Sequence, residues 1–211
     1  MSTKITLAQS AIKAVSFAMA KNDIRYYLNG MCVQHNGEET RIIATDGHRL
    51  HMVRVEHKDG LVIDPIECII PDTLVNTIIK AKAPKHDKLR EVHITIDGDK
   101  VSVVLPDGTE SIAKLIDGKF PDYTRVIPDS FNGQPAQYNC DYVSDIFAGH
   151  MAYHGVKTPL VGFSYNGDSC GGICYGGFCA IVMSLRAECV VSGLDTMRSA
   201  MRKPEPAQAV A

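Results

Sequence analysis

The sequence lacks a strong excess of charge of either sign. Its 22 Lys and Arg residues are nearly balanced by 24 Asp and Glu residues, which leaves a formal net charge of −2. Without bulk basicity, composition alone does not indicate nucleic-acid binding, which then depends on where the cations cluster. Hydrophobic residues make up 45% of the 211 residues, so the chain has enough apolar material for one large or two small globular domains.

Long hydrophobic runs are also missing. No apolar run reaches the length of a membrane span, and the first residues, Met1–Lys4, are not followed by the hydrophobic segment typical of a signal peptide. We therefore expect a cytoplasmic protein. The seven cysteines fit this expectation, because an odd number without a secretion signal favours reduced thiols over a disulfide framework.

Catalytic motifs are absent as well. There is no Gly-rich phosphate loop, nucleophile elbow or metal-binding helix motif. Asp46 and His48 resemble a catalytic pair, but Asp46-Gly47 is better explained by a hairpin turn. His150 and His154 have the spacing of metal ligands on one helix face, yet no third ligand is evident. We expect no enzymatic activity and no cofactor.

Three of the cysteines, Cys170, Cys174 and Cys179, lie close together in the sequence. A zinc site is one interpretation, but zinc usually needs a tight Cys pair with a second pair or histidines. The segment also has the pattern of two strands around the turn Gly176-Gly177. A hairpin of small buried cysteines is therefore favoured, and no bound metal is expected.

One pattern, a short strand followed by a helix and three strands, occurs three times. In unit one a helix follows Thr6, with Gln9 in the position of a capping-box partner. Its strands are predicted at Arg25–Val33, Arg41–Thr45 and Leu50–Val55. Unit two begins with a strand at Cys68–Ile70 and a helix from Asp72 that ends before Pro84. Its strands are predicted at Val92–Ile96, Val101–Leu105 and Glu110–Leu115.

Unit three begins near Gln137, and Asp141 is its predicted helix N-cap. Its strands are predicted at Val161–Tyr165, Gly172–Tyr175 and Phe178–Leu185. Alternating apolar and polar residues in the strands, together with amphipathic helices, predict an α+β fold.

Four segments carry a resemblance to a known family: Asp23–Gly30, Ala44–Leu50, Leu115–Pro128 and Ile181–Arg186. In this order they closely resemble the bacterial sliding clamp, the β subunit of DNA polymerase III. The resemblance implies a DNA-clamp fold of three strand-helix-three-strand units, in which residues 1–118 form a complete clamp-type domain. Residues 119–136 are then a linker, 137–186 a half-domain, and 187–211 a partly disordered tail. The first clamp domain and half of the final one have no counterpart, so we expect a reduced homologue.

The resemblance also implies a pocket for short peptides. Apolar side chains would form an adaptable cavity, and His and Arg side chains would supply donors at its rim. Ser184 stands where the family usually has proline. The implied pocket residues are Leu28, Thr45, Gly47, His48, Arg49, Leu50, Pro121, Arg125, Val126, Ile181, Val182, Met183, Ser184, Leu185 and Arg186.

A DNA-facing surface is implied by the same resemblance. Tyr26 and Tyr27 match clamp residues that touch DNA, and adjacent strand positions would leave one of them exposed. Asn22 and Arg25 lie beside them. Lysines on or beside the first two helices could contact phosphates without reading sequence, although a solvated helix face would look the same. These lysines are Lys13, Lys21, Lys80 and Lys82.

The resulting hypothesis is a non-enzymatic scaffold, a processivity or recruitment factor in DNA replication. It would bind clamp-binding peptides of DNA polymerases, clamp loader or repair proteins, and duplex DNA non-specifically. The alternative is a regulatory decoy that competes for clamp partners without encircling DNA. Because a half-domain needs its missing half, we also expect a homo-oligomer with unit three at an interface. A tail turn with Leu194, Met197 and Met201 is the rival cover.

Overall fold

The computed structural model describes residues 2–57, 65–82, 90–159 and 161–186. Three α-helices, two short 3₁₀ helices and eleven strands occur in these ranges, and units one and two follow the order that the repeated pattern predicts. The helices are α1 (Gln9–Ser16), α2 (Asp72–Lys80) and α3 (Cys140–His154). Unit one contains β1 (Thr3–Ala8), β2 (Gly30–His35), β3 (Glu39–Thr45) and β4 (Arg49–Glu56). Unit two contains β5 (Ile66–Pro71), β6 (Glu91–Asp97), β7 (Lys100–Val104) and β8 (Glu110–Lys114). Unit three contains β9 (Ser164–Asn166), β10 (Cys170–Tyr175) and β11 (Phe178–Met183).

The strands form two antiparallel sheets that exchange their first strands. One sheet has the order β1-β6-β7-β8, and the other has the order β5-β2-β3-β4-β11-β10-β9. Strand β1 of unit one therefore lies in the sheet of unit two, and β5 of unit two lies in the sheet of unit one. This exchange links the first two units, and the combination of antiparallel sheets with three α-helices confirms the predicted α+β class.

Unit three continues the larger sheet through β11, which pairs with β4. Helix α1 lies between α2 and α3 and contacts both. Its buried side chains, among them Ile12 and Val15, pack into the main apolar core together with Ile146 of α3 and Phe178 of β11. The core is thus continuous across all three units, and the β4–β11 junction packs against it.

The predicted capping box at the start of α1 is wrong. Helix α1 begins at Gln9 itself, its N-cap Ala8 makes no side-chain hydrogen bond, and the Gln9 side chain is buried. The Gln9 amide donates to the carbonyls of Ile78 (2.7 Å) and Ala81 (2.9 Å) at the end of α2. The Gln9 side chain therefore caps the C-terminal end of α2, where the last carbonyls would otherwise lack donors.

The predicted strand Arg25–Val33 divides into two elements. Residues Tyr26–Leu28 form a short 3₁₀ helix, and β2 begins only at Gly30. The Asn29 side chain accepts from the Asp23 backbone N–H (2.9 Å) and donates to the Asp23 carbonyl (2.8 Å). These two bonds close a compact loop that competes with extended backbone.

Unit three departs furthest from prediction. Asn139, and not Asp141, is the N-cap of α3, because its side chain accepts from the Asp141 N–H. The predicted strand near Gln137 is reduced to a single bridge with Leu185. Strand β9 starts at Ser164 and not at Val161, and β11 ends at Met183 and not at Leu185. The predicted tail at 187–211 lies outside the described residues.

The predicted cysteine hairpin is present, with Cys170 and Cys179 buried, but Cys174 is exposed and the predicted redox state is wrong for one pair. Strands β10 and β11 pair around Gly176 and Gly177, which both have left-handed backbone angles of φ 57° and 88°. Cys174 and Cys179 are direct partners across the hairpin and are joined by a disulfide, with 4.0 Å between their Cα atoms. The expectation that all thiols are reduced is therefore wrong for this pair.

Two features are absent from the described ranges. No cluster of three or more His, Cys, Asp or Glu side chains that could hold a metal ion occurs there. No helix in the same ranges has the length and hydropathy needed to cross a membrane.

Candidate peptide-binding groove

A groove runs along the junction between β4 and β11. Its first part has a volume of about 30 Å³, and its second part has a volume of about 180 Å³. The first is lined by Thr45, Gly47, His48, Arg49, Leu50, Val126, Ile181 and Met183. The second is lined by Arg25, Tyr27, Leu28, Thr45, Gly47, Leu50, Pro121, Asp122, Tyr123 and Val126. Because the two parts share Thr45, Gly47, Leu50 and Val126, we treat them as one surface, called the groove below.

The floor of the groove is apolar and its walls are partly exposed. Leu50 and Ile181 are direct strand partners, and both are buried. Val126, at the end of a short 3₁₀ helix (Tyr123–Val126), and Met183, at the end of β11, are 36% and 39% exposed. Exposed apolar side chains above a buried apolar floor can accept an apolar anchor from a ligand.

The turn between β3 and β4 forms one rim. Asp46 accepts from the backbone N–H groups of His48 (2.9 Å) and Arg49 (3.1 Å) through one carboxylate oxygen. Gly47 has a left-handed φ of 92°, and a Cβ there would lie 2.9 Å from the Arg25 guanidinium. Asp46 therefore stabilises a turn, which agrees with the interpretation of Asp46-Gly47 as a turn.

Arg49 is not a free donor at the rim, contrary to expectation. Its guanidinium forms ion pairs with Asp46 (3.0 Å) and with Asp145 of α3, and its side chain is only 10% exposed. It also lies 4.4 Å above the centre of the Tyr142 ring. Arg49 thus connects the rim to α3, and the exposed His48 ring stacks on the same tyrosine.

The other two arginines beside the groove are also paired. Arg25 binds Asp23 at 2.7 Å, and this contact lowers the pKa of the Asp23 carboxyl to about 2. Arg125 binds Asp122 at 3.1 Å. Hydrogen bonds from the Thr124 side chain and backbone are the main cause that lowers the pKa of Asp122, and Arg125 adds a smaller effect in the same direction. Since each guanidinium has its own carboxylate, apolar contacts rather than net charge are the main attraction that the groove offers.

Five predicted pocket residues do not line the groove. Val182 is fully buried in the main core, because neighbouring strand residues point to opposite faces of the sheet. Arg125 projects into solvent with its side chain 84% exposed. The Ser184 hydroxyl donates to the Asp168 carbonyl, away from the groove. Leu185, which bonds to Gln137, and Arg186 lie beyond the end of β11.

Four lining residues were not predicted as part of the pocket: Arg25, Tyr27, Asp122 and Tyr123. Tyr123 is buried and donates from its hydroxyl to Gln34 (2.7 Å), which anchors the 3₁₀ helix to β2. Its position between the predicted residues Pro121 and Arg125 is a sequence signal that could have identified it.

The residues predicted to face DNA are mostly exposed. Tyr26 is 58% exposed, whereas Tyr27 is partly buried against the groove. Asn22 is exposed with a left-handed φ of 55°. Lys13 and Lys80 lie in the last turns of α1 and α2, and Lys21 and Lys82 follow these helices. All four lysines are exposed.

The family model, the curated relatives and the solved structures that resemble this chain are all of the bacterial sliding clamp. The family model described as "DNA polymerase III beta subunit, central domain" matches residues 4–122, more than half of the chain. The chain is 34% identical over 149 residues to the beta sliding clamp of Escherichia coli K12. This alignment covers 69% of this chain and 39% of that protein. It is 36% identical over 131 residues to the beta sliding clamp of Pseudomonas aeruginosa, which covers 60% of this chain and 34% of that protein.

Solved structures share the fold at lower identity. The DNA polymerase III subunit beta from Pseudomonas aeruginosa has a TM-score of 0.69 at 22% identity, covering 88% of this chain and 67% of that one. The beta subunit from Thermotoga maritima has a TM-score of 0.67 at 16% identity, covering 88% and 66%. In sequence, the chain spans about two fifths of the length of the curated relatives it matches.

Proposed function

The chain belongs to the DNA polymerase III β-subunit family, the bacterial sliding clamps, and we propose that it acts as a clamp-type scaffold in DNA replication. In this role the groove binds short linear peptides of DNA polymerases, clamp loader or repair proteins. Exposed lysines on α1 and α2 and the exposed Tyr26 contact duplex DNA through its backbone. The chain itself performs no catalysis and recruits partners that do.

One observation carries the peptide-binding part of this proposal. Segments from three distant parts of the chain, around Thr45–Leu50, Pro121–Val126 and Ile181–Met183, line a single groove. The groove joins two units at an otherwise regular strand pair, and its exposed apolar walls have no covering residue in the described part of the chain. A groove with an apolar floor and with its charged side chains already paired suits a short extended peptide with two or three apolar anchors.

Isothermal titration calorimetry with a synthetic clamp-binding peptide containing Gln, Leu and Phe tests this proposal. We expect a dissociation constant in the micromolar range, about −8 kcal/mol. Met183→Ala should weaken binding by about tenfold, because it removes an apolar wall at the groove. The matched control is Val156→Ala, which truncates an apolar side chain of similar exposure, 42%, away from the groove.

The control should bind like the unmodified protein. If the unmodified protein gives no binding heat with the peptide, the groove assignment is wrong. If Met183→Ala and Val156→Ala behave alike, the peptide binds elsewhere on the molecule.

A further inference from the structure

Two histidines at the end of α3 each have a buried ring nitrogen without a partner. The atoms are Nδ1 of His150 and Nε2 of His154, and neither makes a hydrogen bond within the described part of the chain. His150 as a whole is only 4% exposed. Burying a polar atom without a partner costs free energy, and a bound water or ion is one explanation for such atoms in a native protein. The pair therefore has room in its chemistry for a ligand.

The two rings lie at a distance that suits a shared metal ion. His150 and His154 are four residues apart on one face of α3, and their ring centres are 4.4 Å apart. A metal ion about 2.0–2.1 Å from an imidazole nitrogen lies roughly 3 Å from the centre of that ring. Two rings 4.4 Å apart can then meet one ion at roughly a right angle. The spacing seen in the sequence is thus matched by the geometry.

The fold supplies a third ligand that the sequence spacing did not show. Tyr175 of β10 places its ring centre 5.6 Å from that of His154 and 6.2 Å from that of His150, so the three rings form a triangle. Its side chain is 64% exposed, which leaves a path from solvent to the triangle. The missing cluster of three His, Cys, Asp or Glu side chains in the described ranges does not bear on this site, because its third donor is a phenol oxygen.

The turn between β10 and β11 packs directly against the end of α3. A Cβ at Gly176 would lie 2.8 Å from Cε1 of His154, and a Cβ at Gly177 would lie 2.9 Å from the Tyr153 hydroxyl. Both glycines have left-handed backbone angles, so a larger residue would be strained there as well as crowded. This close approach holds Tyr175, the residue before the turn, beside the two histidines.

The donors favour a transition metal over a harder cation. Imidazole suits Zn²⁺, Cu²⁺ and Ni²⁺, whereas Mg²⁺ and Ca²⁺ prefer carboxylate and carbonyl oxygens. Burial lowers the pKa of His150, and the neighbouring His154 lowers it further. The His150 ring is therefore neutral at neutral pH, as a metal ligand must be. The nearby thiols of Cys174 and Cys179 do not compete, because they are joined in a disulfide.

We propose that His150, His154 and Tyr175 bind one divalent transition-metal ion such as Zn²⁺, through one nitrogen of each imidazole and the phenol oxygen. Three protein ligands leave a fourth position for water, as in other open zinc sites. The ion would connect the last turn of α3 to the β10–β11 hairpin. The site shares no residue with the groove or the proposed DNA-facing surface, so it stands independently of the proposed function.

Isothermal titration calorimetry of the full chain with Zn²⁺ alone, without reductant, tests the site. We expect one ion per chain with a dissociation constant of about 10 µM. His154→Gln should weaken binding by at least about tenfold, because it removes one of two imidazole ligands. Tyr175→Phe keeps the ring and its packing and removes only the phenol oxygen, so it should weaken binding by about threefold to tenfold.

The matched control is His93→Gln, which removes an exposed histidine on β6 that bonds to Thr6, away from α3. It should bind Zn²⁺ like the unmodified protein. Zn²⁺ at about a hundred times its dissociation constant should also raise the melting temperature of the unmodified and His93→Gln proteins by about 5–10 °C. His154→Gln should show a much smaller rise at the same concentration.

Co²⁺ in place of Zn²⁺ identifies the donor atoms by absorption spectroscopy. Imidazole and phenol donors should give a cobalt spectrum without a thiolate charge-transfer band, whereas binding to free cysteines would produce one. The proposal is overturned if the unmodified protein binds no Zn²⁺, or if the bound cobalt shows thiolate ligands. It is equally overturned if His154→Gln and Tyr175→Phe bind Zn²⁺ as tightly as His93→Gln does.

Discussion

At the scale of residues, buried polar side chains satisfy the ends of helices. The last four carbonyls of α1 each have a donor: Ser16 Oγ for Lys13, Ala18 N–H for Val15, Met19 N–H for Ser16, and His51 Nδ1 for Ala14. His51 comes from β4 and is fully buried. Since Nδ1–H donates at 2.9 Å, Nε2 carries the lone pair, and it has no partner. Burial lowers the His51 pKa from 6.5 to about 4.

Stability should consequently fall in mild acid. The unfolded chain binds a proton at His51 near pH 6.5, whereas the folded protein resists it until about pH 4. Between these values the unfolded state holds more protons, so the free energy of unfolding decreases as pH falls. We expect a loss of about 2 kcal/mol between about pH 7.5 and pH 5 from this group. Burial also lowers the pKa values of His35 and His150, which act in the same direction.

Urea unfolding at the two pH values measures this effect, and His51→Gln is the matched variant. Glutamine can donate to the Ala14 carbonyl but does not titrate. Its free energy of unfolding should therefore depend less steeply on pH than that of the unmodified protein. Equal pH dependence in the two proteins would assign the effect to other groups.

At the scale of elements, the arrangement depends on how closely α3 approaches α1 and β11. Gly149 of α3 lies at this crossing. A Cβ at Gly149 would lie 2.9 Å from the Phe178 ring, 3.0 Å from the Ala14 carbonyl oxygen and 3.0 Å from His51 Nδ1. The Ala14–His51 hydrogen bond at the end of α1 therefore also leaves no room for a larger residue than glycine at position 149 of α3. Glycine permits this approach, despite its cost inside a helix.

Gly149→Ala should destabilise the fold by about 1–3 kcal/mol, through overpacking against groups that cannot move independently. Helix propensity alone predicts the opposite, a gain of about 1 kcal/mol. Thermal and urea unfolding decide between the two. Gly162→Ala is the control, because a Cβ there meets no heavy atom within 4 Å. A stabilised Gly149→Ala protein would mean that α3 lies further from α1.

At the scale of the whole molecule, the three units share one continuous core, with a peptide groove and a DNA-facing surface proposed at different places. The groove lies at the β4–β11 junction, whereas the exposed lysines lie on or beside α1 and α2. The strand exchange between β1 and β5 holds these two helices side by side. Peptide binding and DNA binding should therefore be separable by mutation.

DNA binding should be weak, independent of sequence and steeply dependent on salt, because only phosphate contacts are proposed. Fluorescence anisotropy with two unrelated duplexes, from about 50 to 200 mM salt, measures it. The double variant Lys13→Ala/Lys80→Ala should reduce the slope of log K against log salt by about 2. Lys100→Ala/Lys119→Ala removes the same charge from exposed positions outside these helices and is the control.

The control variant should show the same slope of log K against log salt as the unmodified protein. Affinity that does not change with salt, or that favours one duplex, would contradict phosphate contacts. A protein that binds the peptide but neither duplex would fit the alternative of a decoy that competes for clamp partners.

The sequence alone determined the repeated units, the approximate position of most helices and strands, and the family. These follow from local alternation, turn residues and four short motifs, which act over a few residues at a time. The motif segments containing Leu50, Val126 and Met183 do lie together in space, although they are distant in sequence. Local patterns could not reveal which side chains at these motifs face the groove, as Val182 illustrates.

Tertiary structure alone decided the roles of residues whose partners lie far away in the chain. Gln9 caps a helix more than sixty residues away, Arg49 binds Asp145 of α3, and His51 completes the end of α1. Sequence patterns indicate that such a side chain is polar or apolar, but they do not identify its partner. The physical reason is that a buried hydrogen bond or ion pair depends on which elements pack together, and that packing is set by the core as a whole.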